Sequence, residues 1–213
     1  MKKTGILGGT FDPIHLGHLI TAENARDALG LDEVLLIPTG CSYFKKDQKV
    51  TPPQLRYEMT CLAAAGNPFL NVTDLETKRP GNSYTSQTLC ELHRERPNEE
   101  LYYIVGADTL VLMSLWKDPQ AIFDSCTILV ETREDTVSAA GLQDEIDRLR
   151  DRFHARIQVI PKKNIEISST EIRDRVQAGR SIRYLVPAAV EEYIHSHRLY
   201  KDDSESSEIT VRS

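Results

Sequence analysis

The stretch that decides the fold is GGTFDPIHLGH, residues Gly8–His18. It follows a short apolar segment, Thr4–Leu7, which predicts a strand, and it leads into Leu16–Leu29, whose apolar residues recur with helical spacing. Paired glycines allow the backbone to approach a phosphate closely, and the free N–H groups at a helix N-terminus favour an anion. Doubly wound α/β folds bind nucleotides at such a strand, turn and helix. The segment therefore predicts a phosphate-binding turn.

Two histidines of this segment are candidates for contacting the phosphates. His15 and His18 are three residues apart, so they lie on one face of the starting helix and can donate to the same phosphate chain. An unperturbed imidazole pKa of about 6.5 makes a charged form accessible there. A glycine turn with surface histidines stays open as an alternative, as does a metal site, for which no third ligand lies nearby. The full string favours phosphate binding.

Outward from this segment, apolar strands and helical stretches alternate along the chain. The predicted strands are Val34–Pro38, Leu70–Leu75, Leu101–Val105, Ile128–Glu131 and Ile157–Ile160. The predicted helices are a stretch from an N-cap at Thr51 to about Ala65, then Ser83–Arg96, Pro119–Asp124, Gly141–Phe153, Ser169–Ala178 and Pro187–His195. Residues 39–50 have the polar composition of a loop. The alternation predicts an α/β fold with a doubly wound, Rossmann-like, open parallel sheet.

Length and composition favour one domain. The chain has 213 residues, of which 40% are hydrophobic, enough for one well-formed core. We expect a single domain over residues 1–200 and a disordered tail, residues 201–213, that is too polar to pack.

The formal net charge of -6 argues against a protein that coats nucleic acid or an anionic membrane, since both require a basic surface. The chain shows no signal-peptide pattern and no stretch near the roughly 20 apolar residues of a membrane span. We therefore expect a cytoplasmic protein, and whether it forms a homo-oligomer stays open.

The four cysteines, Cys41, Cys61, Cys90 and Cys126, are far apart and form no Cys-x-x-Cys pair. Neither a zinc site nor a disulfide framework is indicated. We expect reduced, mostly buried thiols.

A second string, ISSTEIR at Ile167–Arg173, predicts another helix N-terminus. Ser168 and Glu171 have capping-box spacing, and the guanidinium of Arg173 in the first turn suits phosphate oxygens. Simple helix capping would explain this string in isolation. Its occurrence together with Gly8–His18 favours a role in phosphate binding.

The two strings resemble the two signatures of the nucleotidyltransferase superfamily, the first of which reads Gly-x-Phe-Asp-Pro-x-His-x-Gly-His. Within the superfamily, residues 1 to 200 are most similar to the bacterial nicotinate-nucleotide adenylyltransferases. That similarity is carried by both strings, SYTSQTL at Ser83–Leu89, VGAD at Val105–Asp108 and Trp116. The resemblance implies transfer of the adenylyl group of ATP to nicotinate mononucleotide, giving nicotinate adenine dinucleotide and pyrophosphate, with Mg²⁺ assisting and no covalent enzyme intermediate.

The resemblance also implies roles for individual residues. His15, His18 and Arg173 would be catalytic. The ATP side would comprise Gly8, Gly9, Thr10, Phe11, His15, His18, Gly106, Asp108, Arg133, Ser168, Ser169, Thr170 and Arg173. The nicotinate mononucleotide side would comprise Gly9, Thr10, Lys45, Tyr84, Thr85 and Trp116. No residue is expected to bind a metal directly.

Three of these residues have structural alternatives. Asp108 would meet ribose hydroxyls or cap a helix that begins near Thr109. Trp116 would stack on the pyridine ring or pack in the core. Arg133 would border the adenine or belong to a solvated charge run, Glu131–Glu134, where Arg-Pro-Gly is frequent in the family.

The segment after the second strand also departs from the family pattern. Many members have Pro-Pro-His-Lys there, whereas this chain has Ser-Tyr-Phe-Lys at residues 42–45, followed by Lys46. Lys45 keeps the cation in register, while Phe44 replaces the histidine. The sequence leaves open which of the two lysines reaches the substrate.

Four other functions are alternatives. Phosphopantetheine adenylyltransferases share both signatures but are shorter and open with a different string, and cytidylyltransferases have a second element that is missing here. A nucleotide-binding module without turnover is disfavoured because His15, His18 and Arg173 are all present. Nicotinamide mononucleotide is the alternative substrate, because acid and amide differ by few atoms.

Overall fold

A six-stranded parallel sheet forms the centre of the protein, as seen in a computed structural model that describes residues 1–42, 50–132, 139–161, 163 and 165–201. The strands in chain order are β1 (Lys2–Gly9), β2 (Glu33–Pro38), β3 (Cys41–Ser42), β4 (Leu70–Val72), β5 (Asn82–Ser83), β6 (Glu99–Gly106), β7 (Thr127–Thr132) and β8 (Ile157–Pro161). The sheet order is β4-β2-β1-β6-β7-β8, and β3 pairs with β5 separately.

Helices connect these strands, as the alternating sequence pattern predicts. They are α1 (Leu16–Leu29), α2 (Pro53–Ala64), α3 (Thr85–Glu95), α4 (Ala107–Leu110), α5 (Pro119–Ser125), α6 (Ala139–Phe153), α7 (Ser169–Gln177) and α8 (Ala188–Ser196). A short 3₁₀ turn, Met113–Leu115, follows α4. Among the described residues, no helix has the length and apolar character needed to cross a membrane.

The sheet reverses its order at β1, which lies between β2 and β6. Ile6 is in register with Leu35 on one side and with Tyr103 on the other. Such a switch point leaves a crevice beyond the carboxyl ends of the two central strands. Gly8, Gly9 and Gly106 stand at those ends. The predicted doubly wound, Rossmann-like sheet is confirmed, and it places the predicted phosphate turn at the crevice.

Both faces of the sheet are buried under helices. Ile6 and Leu35 belong to a core that includes residues of α3, α5 and α6. Their chain neighbours Leu7 and Leu36 belong to a second core with residues of α1, α2, α7 and α8. Successive strand residues point to opposite faces, so continuous apolar strands are required where both faces are covered. This explains the unbroken apolar run of β2.

The clearest departure from the sequence predictions is the small sheet formed by β3 and β5. Residues 39–50 are predicted as loop, yet Cys41–Ser42 pairs with Asn82–Ser83. The helix predicted to begin at Ser83 therefore begins at Thr85. The strand predicted over Leu70–Leu75 ends at Val72. This pairing joins segments some 40 residues apart, so local sequence patterns do not reveal it.

The start of α2 also differs from its prediction. Pro52, not Thr51, occupies the N-cap position, and its side chain makes no capping hydrogen bond. Pro53 is the first helical residue, a position at which the missing N–H costs nothing. The Thr51 N–H donates instead to Asp12 Oδ2 at 3.1 Å. Thr51 therefore links the start of α2 to the phosphate turn.

The three cysteines whose side chains are described are free thiols, and only one of them is buried. Of those whose side chains are described, Cys126 is buried, Cys61 is half-buried and Cys90 is exposed. The side chain of Cys41 lies outside the described part. Cys90 is on α3, and its Sγ lies 3.7 Å from Ser125 Oγ at the end of α5.

Candidate active site

The glycines of the Gly8–His18 segment permit close packing at the end of β1. A Cβ on Gly9 would lie 2.6 Å from the ring of Phe11, which has a φ of 48° and is 2% exposed. A Cβ on Gly8 would lie 3.3 Å from the Tyr103 hydroxyl. Phe11 thus folds back against the strand end, with its ring behind the turn. It supports the backbone of the predicted site from within the core.

Asp12 anchors the turn to two distant parts of the chain. Its carboxylate is buried and accepts hydrogen bonds from the Tyr200 hydroxyl at 2.8 Å and from the Thr51 N–H at 3.1 Å. Burial and the neighbouring Asp12 carboxylate raise the pKa of Tyr200, so the phenol stays a donor. The sequence string contains Asp12, but its spacing gave no indication of this anchoring role.

The two histidines are stacked at the start of α1. Their ring centroids are 3.6 Å apart, and the His15 backbone N–H donates to His18 Nδ1 at 3.2 Å. A neutral His18 that accepts at Nδ1 carries its proton on Nε2. The Phe11 ring packs edge-on against the His18 ring, with centroids 4.9 Å apart. Backbone geometry therefore sets His18 as an Nε2–H donor.

His15 differs from its neighbour in being buried. Burial lowers its pKa to about 4, so its imidazole is neutral at pH 7. The expectation of an accessible charged form is therefore wrong for His15 in this structure. Its Nδ1 atom is buried and has no hydrogen-bond partner among the described residues. A neutral imidazole still donates one hydrogen bond, so a phosphate contact remains chemically open to it.

The second string contacts the first. Arg173 Nη1 donates to the Asp12 carbonyl at 2.7 Å, and Ser169 Oγ donates to the Pro13 carbonyl at 2.9 Å. Ser168 caps α7 by accepting from the Glu171 N–H at 3.1 Å. These two contacts join residues that are 161 and 156 positions apart in the sequence. The N-terminus of α7 thus lies beside that of α1.

A cavity of about 500 Å³, here called the Trp116 cavity, opens on one side of the turn. Of the residues assigned to nicotinate mononucleotide by resemblance, those that line it are Gly9, Thr10, Tyr84, Thr85 and Trp116. Gly8 lines it as well. Trp116 is half-buried against the core and meets Tyr103 edge-on, so core packing and an exposed ring face coexist. Lys45 and Lys46 lie outside the described residues.

Glu76 is a wall residue of this cavity that sequence analysis missed. It is 6% exposed and accepts from the Thr88 hydroxyl at 2.7 Å. Burial raises its pKa more than this hydrogen bond lowers it. A charged residue seven positions before Ser83 gives no periodic signal, because Glu76 lies between elements.

A second cavity of about 350 Å³, here called the His18 cavity, opens on the other side of the turn. His15 and His18 line it together with Ser168 and Ser169. Glu131, at the end of β7, also lines it, is 3% exposed and accepts from the Thr21 hydroxyl at 3.0 Å. The alternative that Glu131 belongs to a solvated charge run is therefore wrong. Arg133 lies outside the described residues.

The remaining predicted residues that the structure describes are absent from the linings of both cavities. Gly106 ends β6, and Asp108 is exposed on α4. Gly106 is itself the N-cap of α4, without a side-chain cap, so helix capping by Asp108 is wrong. Thr170 accepts from Arg173 Nη2 at 3.2 Å.

Arg56 is a second residue near the site that the sequence did not reveal. Its guanidinium is 1% exposed and donates to backbone carbonyls of Thr10, Thr39, Gly40 and Thr51. Backbone oxygens of three loops around the turn are thus held by one buried cation. The sequence signal for a buried arginine was its position three residues before the buried Met59. This spacing places both side chains on the core-facing side of α2.

Comparisons with known proteins identify the family of the chain. The family model described as cytidylyltransferase-like matches residues 6–175. A probable nicotinate-nucleotide adenylyltransferase of Moorella thermoacetica is 43% identical over 200 residues, covering 93% of this chain and 92% of the relative. One of Dehalococcoides mccartyi is 41% identical over 202 residues, covering 93% and 97%.

Solved structures share the fold. Plasmodium falciparum nicotinic acid mononucleotide adenylyltransferase complexed with NaAD has a TM-score of 0.76 and 18% identity, covering 94% of this chain and 98% of that one. At this identity the likeness concerns the fold, whereas family membership follows from the sequence matches. The chain belongs to the cytidylyltransferase-like family and, within it, to the nicotinate-nucleotide adenylyltransferases.

Proposed function

We propose that this protein transfers the adenylyl group of ATP to nicotinate mononucleotide, giving nicotinate adenine dinucleotide and pyrophosphate on the route to NAD. One observation carries the proposal: a single segment walls both cavities. Gly8, Gly9 and Thr10 line the Trp116 cavity, while His15 and His18 line the His18 cavity. Two phosphate-bearing substrates bound in these cavities would meet at the turn between them.

The chemistry requires positioning more than it requires a reactive side chain. A phosphate oxygen of the mononucleotide forms a bond to the α-phosphorus of ATP, and the bond to the bridging oxygen of the β-phosphate breaks. Pyrophosphate leaves with that electron pair. In such transfers the protein aligns two anions and stabilises the charge that develops. The two helix N-termini beside the turn supply fixed dipoles of the required sign.

On the ATP side, His18 and Arg173 are the proposed catalytic donors, with His15 beside them. His18 presents an Nε2–H, because its Nδ1 accepts from the His15 backbone. Arg173 is oriented by its bond to the Asp12 carbonyl, and a guanidinium suits phosphate oxygens. The α7 N-terminus at Ser168–Thr170 is assigned to the phosphates and Gly106 and Asp108 to the ribose. Arg133 stays a prediction.

On the nicotinate side, Trp116 is proposed to stack on the pyridine ring. Tyr84 and Thr85 would meet the ring carboxylate, and Gly9 with Thr10 would approach the phosphate. The cavity supports this division because aromatic and polar groups share its lining. A contact from Lys45 stays a prediction.

Mg²⁺ is proposed to enter with ATP. In the described part of the chain, no group of three His, Cys, Asp or Glu residues could hold a metal ion. Mg²⁺ is commonly bound by substrate phosphates and water with few protein ligands. Bound in this way, it would neutralise phosphate charge during transfer.

Pyrophosphate release tests the proposal. Purified protein is incubated with ATP and Mg²⁺ and, in turn, with nicotinate mononucleotide, nicotinamide mononucleotide and phosphopantetheine. We expect release with nicotinate mononucleotide. Release with phosphopantetheine alone would identify the other adenylyltransferase, and binding without any release would identify a module without turnover.

A further inference from the structure

A row of side chains leads from the phosphate turn across the Trp116 cavity. The Tyr103 hydroxyl lies 3.3 Å from the position of a Cβ on Gly8, and the Tyr103 ring lies edge-on to Trp116 with centroids 6.5 Å apart. Lys117 follows Trp116 and also lines the cavity. A mononucleotide whose phosphate reaches the turn would therefore extend its ring along this row, away from Gly8 and towards Trp116 and Lys117.

Two residues of opposite charge, Glu76 and Lys117, line this cavity. Glu76 is 6% exposed and is held by the Thr88 hydroxyl, whereas Lys117 is exposed. An ionised Glu76 would repel a second carboxylate, and a neutral one would offer it no charge. A ring substituent with a negative charge is therefore attracted by Lys117 alone among the charged lining residues that the structure describes.

Lys117 is held over the start of α3. Its Nζ lies 4.0 Å from the centroid of the Tyr84 ring, and Tyr84 is the N-cap residue of that helix. A cation–π contact positions an ammonium without neutralising it. The first turn of α3 has no acidic residue, and no side chain caps it. The ammonium thus lies over the side chain of the N-cap residue of an 11-residue helix, whose N-terminus is the positive end of the helix dipole.

We propose that Lys117 determines the preference of this cavity for a pyridine ring bearing a carboxylate over one bearing an amide. Its ammonium pairs with the carboxylate of nicotinate mononucleotide, and the uncharged amide of nicotinamide mononucleotide forms no ion pair. The inference deepens the proposed function of the Trp116 cavity and rests on it.

Substitution of Lys117 tests the proposal. Lys117→Met keeps a long apolar stem and removes the charge, and Lys117→Arg keeps the charge. Lys78→Met is the matched control, because that side chain is 75% exposed and ion-paired with Asp74 outside the cavity lining. The Michaelis constant and kcat are measured for each variant with both mononucleotides at saturating ATP.

We expect Lys117→Met to raise the KM for nicotinate mononucleotide about 10-fold, as loss of a charge-assisted hydrogen bond implies. Its kcat and its KM for nicotinamide mononucleotide should stay within about twofold of the wild type, because neither depends on the ion pair. Lys117→Arg and Lys78→Met should behave as the wild type. An equal loss with both mononucleotides, or no loss with either, would overturn the role of Lys117.

A binding measurement separates this inference from the proposed function. Trp116 is the single tryptophan of the chain, so quenching of its fluorescence reports a ring bound beside it. Absence of turnover in the wild type with either mononucleotide would overturn the proposed adenylyl transfer. The quenching titration would then still decide whether Lys117→Met weakens binding of the acid and spares the amide, as the inference requires.

Discussion

Buried polar groups are hydrogen-bonded at the amino end of strand β1, whereas some at its carboxyl end lack partners. At the amino end, polar side chains of β1, β2 and β6 bond to one another. At the carboxyl end, the described part of the chain contains buried polar atoms without partners, namely His15 Nδ1 and Thr39 Oγ1. Each of these two residues lines one of the two cavities. The same sheet is thus internally satisfied at one end and open to ligands at the other.

The amino end is a network of ion pairs. Glu33 contacts Lys2 at 2.9 Å and Arg96 at 2.6 Å, and Thr4 Oγ1 donates to Glu99 Oε2 at 2.6 Å. Burial alone would raise the pKa of Glu33, but hydrogen bonds from Lys2 and Arg96 outweigh it and lower that pKa. This end therefore contributes to stability.

The carboxyl end carries a cost. A buried polar atom without a partner is unfavourable by about 1–3 kcal/mol. Function explains why such atoms persist, because phosphate and sugar groups are the partners that a nucleotide would bring. The difference between the ends predicts that substitutions at the carboxyl end affect turnover and binding, whereas those at the amino end affect the free energy of unfolding.

The largest expected effect comes from His18. His18→Ala removes the Nε2–H donor, and we expect kcat to fall about 10²- to 10³-fold, as for other donors that stabilise transition-state charge. The free energy of unfolding should fall by only about 1 kcal/mol, since the side chain is half-buried. Pyrophosphate release and urea denaturation measure the two quantities.

His195→Ala is the matched control, because His195 is exposed on α8. It should leave both quantities close to the wild type. Turnover by His18→Ala at the wild-type rate would remove His18 from the site. A loss of stability that accounts for the whole loss of activity would break the comparison between the two ends.

Features of the fold that depend on local sequence signals could be predicted, whereas features that depend on distant partners could not. The bounds of α1 were predicted correctly, because the apolar period of Leu16–Leu29 is a local signal. Arg56 was missed because its partners are backbone carbonyls of Thr10 and Thr39. Any residue type presents the same carbonyl, so no sequence pattern identifies such a partner.

Site residues that belong to a sequence motif could be predicted. Properties of the site that depend on packing could not. A shared role of the two strings was predicted from their occurring together, but the bond of Arg173 to the Asp12 carbonyl was not. The neutral state of His15 was not predicted either, because its pKa depends on burial by residues distant in the sequence. Glu76 was missed for a related reason: its partner Thr88 lies in the next helix.

His15 contributes a pH dependence to the free energy of unfolding. Its folded pKa of about 4 lies below the unfolded value of 6.5, so protons bind preferentially to the unfolded chain as the pH falls through this window. The stability is fully present above pH 6.5 and is lost towards pH 4. Between pH 7.5 and pH 5 we expect a loss of about 2 kcal/mol from this residue.

Urea denaturation at the two pH values measures this loss in the wild type and in His15→Gln, which cannot titrate. The variant should lose about 2 kcal/mol less than the wild type between the two values. His93→Gln, at an exposed position on α3, should keep the wild-type dependence. Equal pH dependence of wild type and His15→Gln would show that His15 is not held neutral.

The smallest effects come from a matched pair of threonines, one at each end of the sheet. Thr4 is fully buried with its hydroxyl bonded to Glu99, whereas the buried Thr39 hydroxyl has no partner among the described residues. Valine replaces each with nearly the same shape. We expect Thr4→Val to lower the free energy of unfolding by about 1–2 kcal/mol, because a carboxylate loses its donor.

Thr39→Val should leave that free energy unchanged or raise it by up to about 1 kcal/mol, because an unsatisfied hydroxyl is removed. It should instead raise the KM for nicotinate mononucleotide about 3-fold, if the hydroxyl bonds to substrate in the Trp116 cavity. Thr4→Val should leave this KM unchanged. Equal destabilisation by the two substitutions would mean that the Thr39 hydroxyl already has a partner, and the open carboxyl end would then be as satisfied as the amino end.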